Sequence, residues 1–421
     1  MISVGEASER ILKKIRPLGA ESVDLARTSG RVLADSVVAA TTSPPWDNAS
    51  MDGYAVRSID LVESSRPKSL RVAGSIAAGG SSDHPLAAGE AMRIMTGAPV
   101  PMGADSVIRI EDTDEGAEQV TIADLRDLRR NIRRAGEDFH EGDVLFEPST
   151  ELRAAHVGVL ASAGVSLVSV FRSPKVAIVS SGDELVELED IGDPQNTSAR
   201  AGQSRIVSSN RWTLGQLIRD AGGEPVDLGI ASDTPQSLRA KLEARGDCDV
   251  LITTGGMSVG DHDHARAVFA DLGGELDFWK VRMRPGAPMA FGLLGETPWF
   301  GLSGNPVSAM ITFEVFIRPA LRKMLGHRKL HRGLIQVRLE RPVEIGAALT
   351  HFLRAVVTRA DDGGFVARLA GSQSSAVLTA MAHANALLIV PRESQSNPAG
   401  TMLGAMPLAG DLQMSDRLGI Q

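Results

Sequence analysis

The stretch Val250-Leu251-Ile252-Thr253-Thr254-Gly255-Gly256-Met257-Ser258-Val259-Gly260-Asp261-His262-Asp263 decides how the centre of this chain is read. Val250 to Thr253 is an apolar run of strand length, stopped by a glycine-rich loop, and a helix can begin at Asp263. Upstream the same rhythm repeats. Val176 to Val179 reads as a buried strand, and Ser209 to Ala221 as a helix with Leu214, Leu217 and Ile218 on one face, stopped by Gly222 and Gly223. Val226 to Ile230 is the next strand, and Asp233-Thr234-Pro235 opens another helix, with proline in the first turn where its missing N–H costs nothing. Buried strands alternating with amphipathic helices predict a doubly wound α/β domain with a mainly parallel sheet, whose ligands sit at the carboxyl ends of the strands.

Outward from this centre the pattern changes on both sides. After Gly326 it returns to strands around Ile335 to Leu339, Val356 to Thr358 and Leu387 to Val390, which predict a small C-terminal β-barrel. Toward the start, Ala154 to Phe171 reads as a helix ending at Gly164 followed by a strand. Its histidine, two glycines and three serines make it a poor membrane span, which needs about twenty consistently apolar residues. Pro44 and Pro45 open a run of short alternating segments that lasts to about Arg134 and predicts a β-rich unit. Ser3 and Glu6 form a capping box for a first helix, with Val4, Ala7, Ile11 and Ile15 on one face. If that helix packs with the Ala154 helix, the β-rich unit is an insertion. The expected class is therefore multidomain α/β plus β. Residues 1–43 and 135–172 form a linking helical/β domain, 44–134 the inserted β-rich domain, 173–328 the α/β domain, and 329–421 the barrel.

Composition sets outer limits. At 421 residues the chain exceeds one hydrophobic core, so three or four compact units are expected, roughly. A net charge of −8 gives no overall attraction for nucleic acid, so phosphate recognition must be local. Cys248, the only cysteine, excludes an intramolecular disulfide and any cysteine-cluster metal site, which fits a reducing cytoplasm. The first residues lack the apolar region of a signal peptide, and no membrane segment is expected.

Three loops following predicted strands should converge on one sheet edge: Ser180 to Glu184, Thr253 to Asp263, and Leu302 to Pro306. In the second, Gly255, Gly256, Ser258 and Gly260 either let backbone N–H groups approach an anion or serve only a tight turn. In the third, Ser303-Gly304-Asn305-Pro306 precedes a long helix from Val307 to Leu325, and either binds an anion or simply caps that helix. Asp183, Glu184, Asp261 and Asp263 lie in the same loops and offer the hard oxygen ligands that Mg²⁺ prefers beside a phosphate. His262 and His264, interleaved with Asp261 and Asp263, invite a zinc reading; against it, neighbouring histidines of an extended loop point apart and no further His or Cys ligand lies near in sequence. From Phe278 to Arg284, Lys280, Arg282 and Arg284 alternate with Trp279, Val281 and Met283. A strand of period two would line three cations along one face at spacings of about 7 Å, ending at Pro285 and Gly286 beside the anion loops. Asp52-Gly53 reads first as a hairpin turn, Thr96-Gly97 likewise, and the run Arg129, Arg130, Arg133, Arg134 as a solvated surface.

These segments together resemble the molybdopterin molybdenumtransferase family, which includes the E domain of gephyrin. The resemblance is collinear from Ser3 to about Gly326. It is carried by the blocks Asp47 to Val56, Arg93 to Pro101, Asn131 to Asp138, Ser181 to Leu185, Thr254 to Gly260 and Gly304 to Ser308, with Gln373-Ser374-Ser375 as a fainter echo. It implies cleavage of the phosphoanhydride of adenylylated molybdopterin, departure of AMP and capture of molybdate by the dithiolene sulfurs, with Mg²⁺ required. It assigns catalytic roles to Asp52, Thr96, Asp138, Glu184, Lys280 and Arg284. Substrate binding falls to Arg133, Ser181, Gly182, Asp183, Asp233, Gly255, Gly256, Ser258, Gly260, Arg282, Pro285, Gly304, Asn305 and Pro306, and metal binding to Glu184, Asp261 and Asp263. It further implies a homodimer, with the β-rich unit of one subunit facing the α/β unit of the other, and molybdopterin adenylyltransferase as a partner enzyme. Two competing readings are a related adenylyltransferase and a scaffold that binds another protein. Arg284 stands where many relatives have lysine, Ala287 for a lysine, Ser303 for a proline and Ala135 for an arginine.

Overall fold

The computed structural model describes residues 1–62, 68–81, 84–190, 205–256 and 264–408. The chain forms two compact units. One holds Met1–Glu21, Gly30–Val32 and Val170–Gln421, and the other Ser22–Ser29 and Leu33–Ser169. Helix α1 (Val4–Lys14) starts as its sequence predicts, with the Ser3 side chain accepting the Glu6 N–H. Its apolar stripe, however, corrects the expected grouping of residues 1–43. Ala7, Ile11 and Ile15 pack into the core of the α/β unit with Phe316, Leu321 and Met324, not with the Ala154 helix. The periodic face was legible, but nothing local specified which surface it would cover.

In the second unit, β1 (Gly53–Val56), β2 (Lys68–Ile76), β3 (Glu90–Ile94), β4 (Ser106–Arg109) and β5 (Gln119–Ile122) form one sheet in the order β4-β1-β3-β2-β5. Alternate residues of β1 enter different cores, Tyr54 and Val56 one and Ala55 the other, so this strand is covered on both faces. Asp52-Gly53 is not a hairpin turn. The strand before it, Asn48–Ala49, pairs with Ile132–Arg133, while β1 pairs with β3 and β4. A two-residue turn needs its flanking strands to pair with each other, and here they part.

An ion pair ties the end of β4 to the segment after β5. Arg109 donates through Nε at 2.8 Å and Nη2 at 3.0 Å to the two oxygens of Asp127, which is only 1% exposed. That guanidinium holds the Asp127 carboxyl down to about 2, against the upward push of burial. An unfolded aspartate titrates near 3.9, so the pair's contribution is fully present above that value and is lost as pH falls toward 2. Asp127→Asn is expected to cost about 2 kcal/mol at pH 6 and almost nothing near pH 2. Denaturant unfolding of both proteins between pH 6 and 2 checks this, and a pH-independent difference would refute it.

Helix α2 (Ala154–Ser162) ends before Gly164, as its sequence indicated, and the strand Leu167–Phe171 follows. Next come β6 (Lys175–Ser181), α3 (Ser209–Asp220), β7 (Glu224–Ala231), α4 (Pro235–Glu243), β8 (Val250–Thr254), α5 (Ala265–Asp271), β9 (Glu275–Trp279), β10 (Ala290–Leu294) and β11 (Thr297–Leu302). The sheet order is β7-β6-β8-β11-β10-β9, with β7, β6, β8 and β11 parallel and β10 antiparallel to both of its neighbours, β11 and β9. Val176 and Ile178 face a core with Leu214 of α3, and Ala177 and Val179 face another with Leu238 of α4 and Phe269 of α5. Period-two strands buried on both faces are what a doubly wound sheet requires. Arg172 clamps β6 and β8 at their start. Its guanidinium grips Asp249, whose carboxylate also accepts the Lys175 N–H at 2.9 Å.

The long helix expected from Val307 is interrupted. It runs as α6 (Pro306–Thr312), a wide π turn over Phe313–Ile317, and α7 (Arg318–Met324). Pro319 supplies the reason, since it lacks the N–H that would bond the Val315 carbonyl and its ring crowds that carbonyl. The C-terminal barrel is closed. β12 (Ile335–Leu339), β13 (Thr350–Arg359), β14 (Phe365–Leu369), β15 (Ala386–Val390) and β16 (Met402–Pro407) pair in the ring β13-β14-β12-β16-β15 and back to β13. Among the described residues no helix is long and apolar enough to cross a membrane.

Candidate functional site

Three parallel strands end together, and the residues after each end are small or polar. Gly182 donates its N–H to the Ala231 carbonyl at 3.2 Å, and Gly255 to the Leu302 carbonyl at 3.1 Å, lacing β6 to β7 and β8 to β11 beyond their last ladder bonds. The backbones approach closely here. A Cβ on Gly255, whose φ is +89°, would lie 2.3 Å from the Ser181 carbonyl oxygen. Only glycine satisfies both the left-handed backbone and that approach.

A cavity of about 640 Å³ opens at this edge. Of the residues expected there, Ser181, Gly182, Glu184, Asp233, Gly255, Gly256, Gly304, Asn305 and Pro306 line it. The three loops therefore converge as their positions after the strands predicted. Asp183 is spent differently. Its Oδ1 accepts the Asp233 N–H at 3.0 Å, Asp233 Oδ2 accepts the Asp183 N–H at 3.3 Å, and Ser181 Oγ donates to Asp233 at 3.1 Å. This reciprocal clasp fixes the two loops against each other. Ser258, Gly260, Asp261 and Asp263 lie outside the described residues.

Glu184 is the exposed carboxylate of the lining, and its side chain has no hydrogen bond or ion pair among the described residues. Magnesium is held by one or two carboxylates together with substrate phosphates and water, so a free hard-oxygen donor beside glycine N–H groups fits it. Lining residues missed in the sequence include Ser208, Asn210, Pro288 and Ala376. Ser208-Ser209-Asn210 reads locally as a helix start and nothing more. Asn210 in fact donates Nδ2 to the Gly304 carbonyl at 2.8 Å, joining α3 to the loop before α6.

The expected row of three cations is not formed. β9 stops at Trp279, and Lys280 has a φ of +71°, which breaks the period of two. Ile2 bonds to the backbones of Lys280 and Arg282, and Met283–Arg284 leaves the sheet to pair with Thr350–His351 of the barrel. The Lys280 ammonium lies 4.0 Å from the Trp279 ring centroid, and the Arg266 guanidinium 3.5 Å from it. Val281 and Met283 are buried as expected, but before Lys280 it is Phe278 and not Trp279 that is buried, so the alternation holds only for the last part of the segment. Pro285 is buried, and Pro288 brings the same segment to the cavity.

Asp52, Thr96, Arg133 and Asp138 belong to the second unit and are all exposed. Asp52 Oδ1 accepts the Thr96 N–H at 2.6 Å and its hydroxyl at 2.7 Å. The backbone bond, then the hydroxyl bond, holds the Asp52 carboxyl below the usual range. The two residues singled out by resemblance are therefore one hydrogen-bonded pair, which keeps the carboxylate ionised and oriented.

Comparison with known proteins covers nearly the whole chain. Residues 2–164 match the MoeA N-terminal region (domain I and II), 177–323 a probable molybdopterin binding domain, and 336–408 the MoeA C-terminal region (domain IV). The molybdopterin molybdenumtransferase of Haemophilus influenzae is 34% identical over 97% of this chain and 98% of its own length. That of a Nostoc species is 34% identical over 88% and 85%. Two crystal structures of the molybdopterin biosynthesis MoeA protein from Pyrococcus horikoshii superpose with TM-scores of 0.80 and 0.79. They are 29% and 27% identical, and the match covers 97% of this chain and all of theirs. With three regions matched in order and relatives aligned end to end, the chain belongs to the molybdopterin molybdenumtransferase family.

Proposed function

We propose that this protein is a molybdopterin molybdenumtransferase, an enzyme that inserts molybdate into adenylylated molybdopterin and releases AMP, giving the molybdenum cofactor. The observation that carries the reading is the end-to-end match to relatives of that name, which includes the N-terminal region as well as the α/β domain. The cavity supports it with a surface suited to a phosphorylated substrate. Gly255 and Gly256 expose backbone at a parallel-sheet edge, and Gly304-Asn305-Pro306 leads into a helix. Glu184, with Asp261 and Asp263 of the adjoining loop, would hold Mg²⁺, whose contribution is to neutralise charge on the phosphoanhydride as it is cleaved. Lys280, Arg282 and Arg284 serve as cations for phosphate or molybdate, the last as a planar fork in place of a point charge. Asp52, fixed by Thr96, acts with Arg133 and Asp138 from the second unit.

The working form is proposed to be a cytoplasmic homodimer that receives its substrate from a molybdopterin adenylyltransferase. We divide the chain into an inserted β-rich domain at 44–134, an α/β domain at 173–328 and a barrel at 329–421. Residues 22–43 and 135–172 link them. Purified protein given adenylylated molybdopterin, molybdate and Mg²⁺ is expected to release AMP in a molybdate-dependent manner and to yield cofactor that activates an apo-molybdoenzyme. Adenylylation of the pterin from ATP, with no molybdate-dependent release of AMP, would overturn the assignment.

A further inference from the structure

Two buried side-chain oxygens in the cavity wall have no partner among the described residues. Ser208 is 2% exposed and Asn210 7%, and among the described residues neither Ser208 Oγ nor Asn210 Oδ1 has a hydrogen bond. Both residues line the cavity. The orientation of the Asn210 amide is fixed, because the Gly304 carbonyl can only accept and therefore takes the Nδ2 end. What remains is an acceptor. Ser208 occupies the cap position of the twelve-residue α3, yet it makes no side-chain cap bond. Its N–H is used on the Val186 carbonyl, which ties the residue to the strand end Leu185–Val186. The hydroxyl is thus held at the wall with its proton free to point at a partner.

An acceptor and a neighbouring donor, both shielded from solvent, disfavour the empty cavity and favour a ligand that completes them. We infer that Asn210 Oδ1 and Ser208 Oγ recognise the amidine edge of an aminated heterocycle, an N–H beside an unprotonated ring nitrogen. Asn210 accepts from the exocyclic amine, and the Ser208 hydroxyl donates to the ring nitrogen. This inference rests on the proposed substrate, which carries that edge twice, on its adenine and on its pterin. A site built to pair a buried acceptor with an amine rejects the analogue lacking it far more strongly than an apolar pocket would.

The test compares ligands that differ only in that amine. For the adenine source these are AMP and purine riboside 5′-monophosphate, and for the pterin source, pterin-6-carboxylate and its 2-deamino counterpart. Affinities are measured by calorimetry on the full chain with Mg²⁺. In one of the two pairs the wild-type protein is expected to bind the amine-bearing member at least tenfold more tightly, and that pair identifies the source. Asn210→Ala and Ser208→Ala should reduce the preference to within about twofold. Asn210→Ala also removes the bond to Gly304 and can loosen the fold, so Ser208→Ala is the decisive variant. Deleting an unpartnered buried hydroxyl should leave the ligand-free melting temperature equal or higher while affinity falls. A residue with only a structural role would do the reverse. Discrimination below twofold in both pairs, or wild-type affinity in Ser208→Ala, overturns the inference alone. No binding of either amine-bearing probe to the wild-type protein, together with no molybdate-dependent AMP release, overturns the inference and the proposed function together.

Discussion

Glu184→Gln is expected to lower magnesium-dependent AMP release by about a thousandfold, equivalent to about 4 kcal/mol of transition-state stabilisation. The effect should be this large because the exchange removes a full charge from the metal and phosphate side of the cavity while keeping shape. Glu184 is exposed and its carboxylate has no partner among the described residues, so the fold does not depend on it. Stability should change by less than about 0.5 kcal/mol, as for surface positions generally. The position is nonetheless crowded on one side, since a Cβ on Gly182 would lie within 2.7 Å of all three carboxylate atoms of Glu184. Gly182→Ala should therefore displace the same carboxylate and lower the rate in parallel. Magnesium titrations of the initial rate separate the cases. A Glu184→Gln protein that keeps its rate at saturating Mg²⁺ would remove Glu184 from the mechanism.

Gly255→Ala is expected to cost about 3–5 kcal/mol of stability and to abolish ligand binding at the sheet edge. Two penalties combine at this one residue. Alanine disfavours a φ of +89°, and its methyl would sit 2.3 Å from the Ser181 carbonyl oxygen, a separation that backbone atoms must move to relieve. That movement cannot stay local. Ser181 ends β6, Gly255 N–H is bonded to the end of β11, and Gly304 packs 3.6 Å from the Gly255 Cα when its own Cβ is built. Parting any two of these ends opens the cavity wall. A fall in melting temperature of roughly 10 °C is expected from scanning calorimetry. Gly5→Ala is the contrast, because nothing lies within 4 Å of its added methyl in α1, and helix propensity should stabilise it by up to about 1 kcal/mol. Equal stability of the wild-type and Gly255→Ala proteins would show that the strand ends tolerate separation.

The α/β sheet was legible because its signal is repeated and local. Val176 to Val179 and Val250 to Thr253 each bury both faces, and a continuous apolar run reports that without reference to any distant residue, whereas Val226 to Ile230 at the sheet edge is only half-buried. The convergence of Glu184, Gly255 and Asn305 on one edge followed from the same topology, since the carboxyl ends of parallel strands share a side. Other features were not local. From Phe278 to Arg284 the buried residues are Phe278, Val281 and Met283, so the alternation slips by one at the left-handed Lys280 and resumes in a different sheet, which the residue pattern alone does not report. The π turn before Pro319 and the partners of α1 likewise depend on which surfaces are near.

For the site, the division is sharper. Sequence by itself determined the residue types at the strand ends and, through ordered blocks, the family. Only the tertiary structure decided which polar groups are free. Asp183 and Asp233 look in the sequence like ligands as good as Glu184, yet the fold commits them to each other's backbone and leaves Glu184 open. Ser208 and Asn210 look like an ordinary helix start, yet the fold buries them at the cavity with one acceptor and one hydroxyl unmatched among the described residues. The reason is physical. A polar side chain's chemistry is set by whether its hydrogen-bond capacity is already satisfied, and the partners that satisfy it here come from residues 50 to 94 positions away.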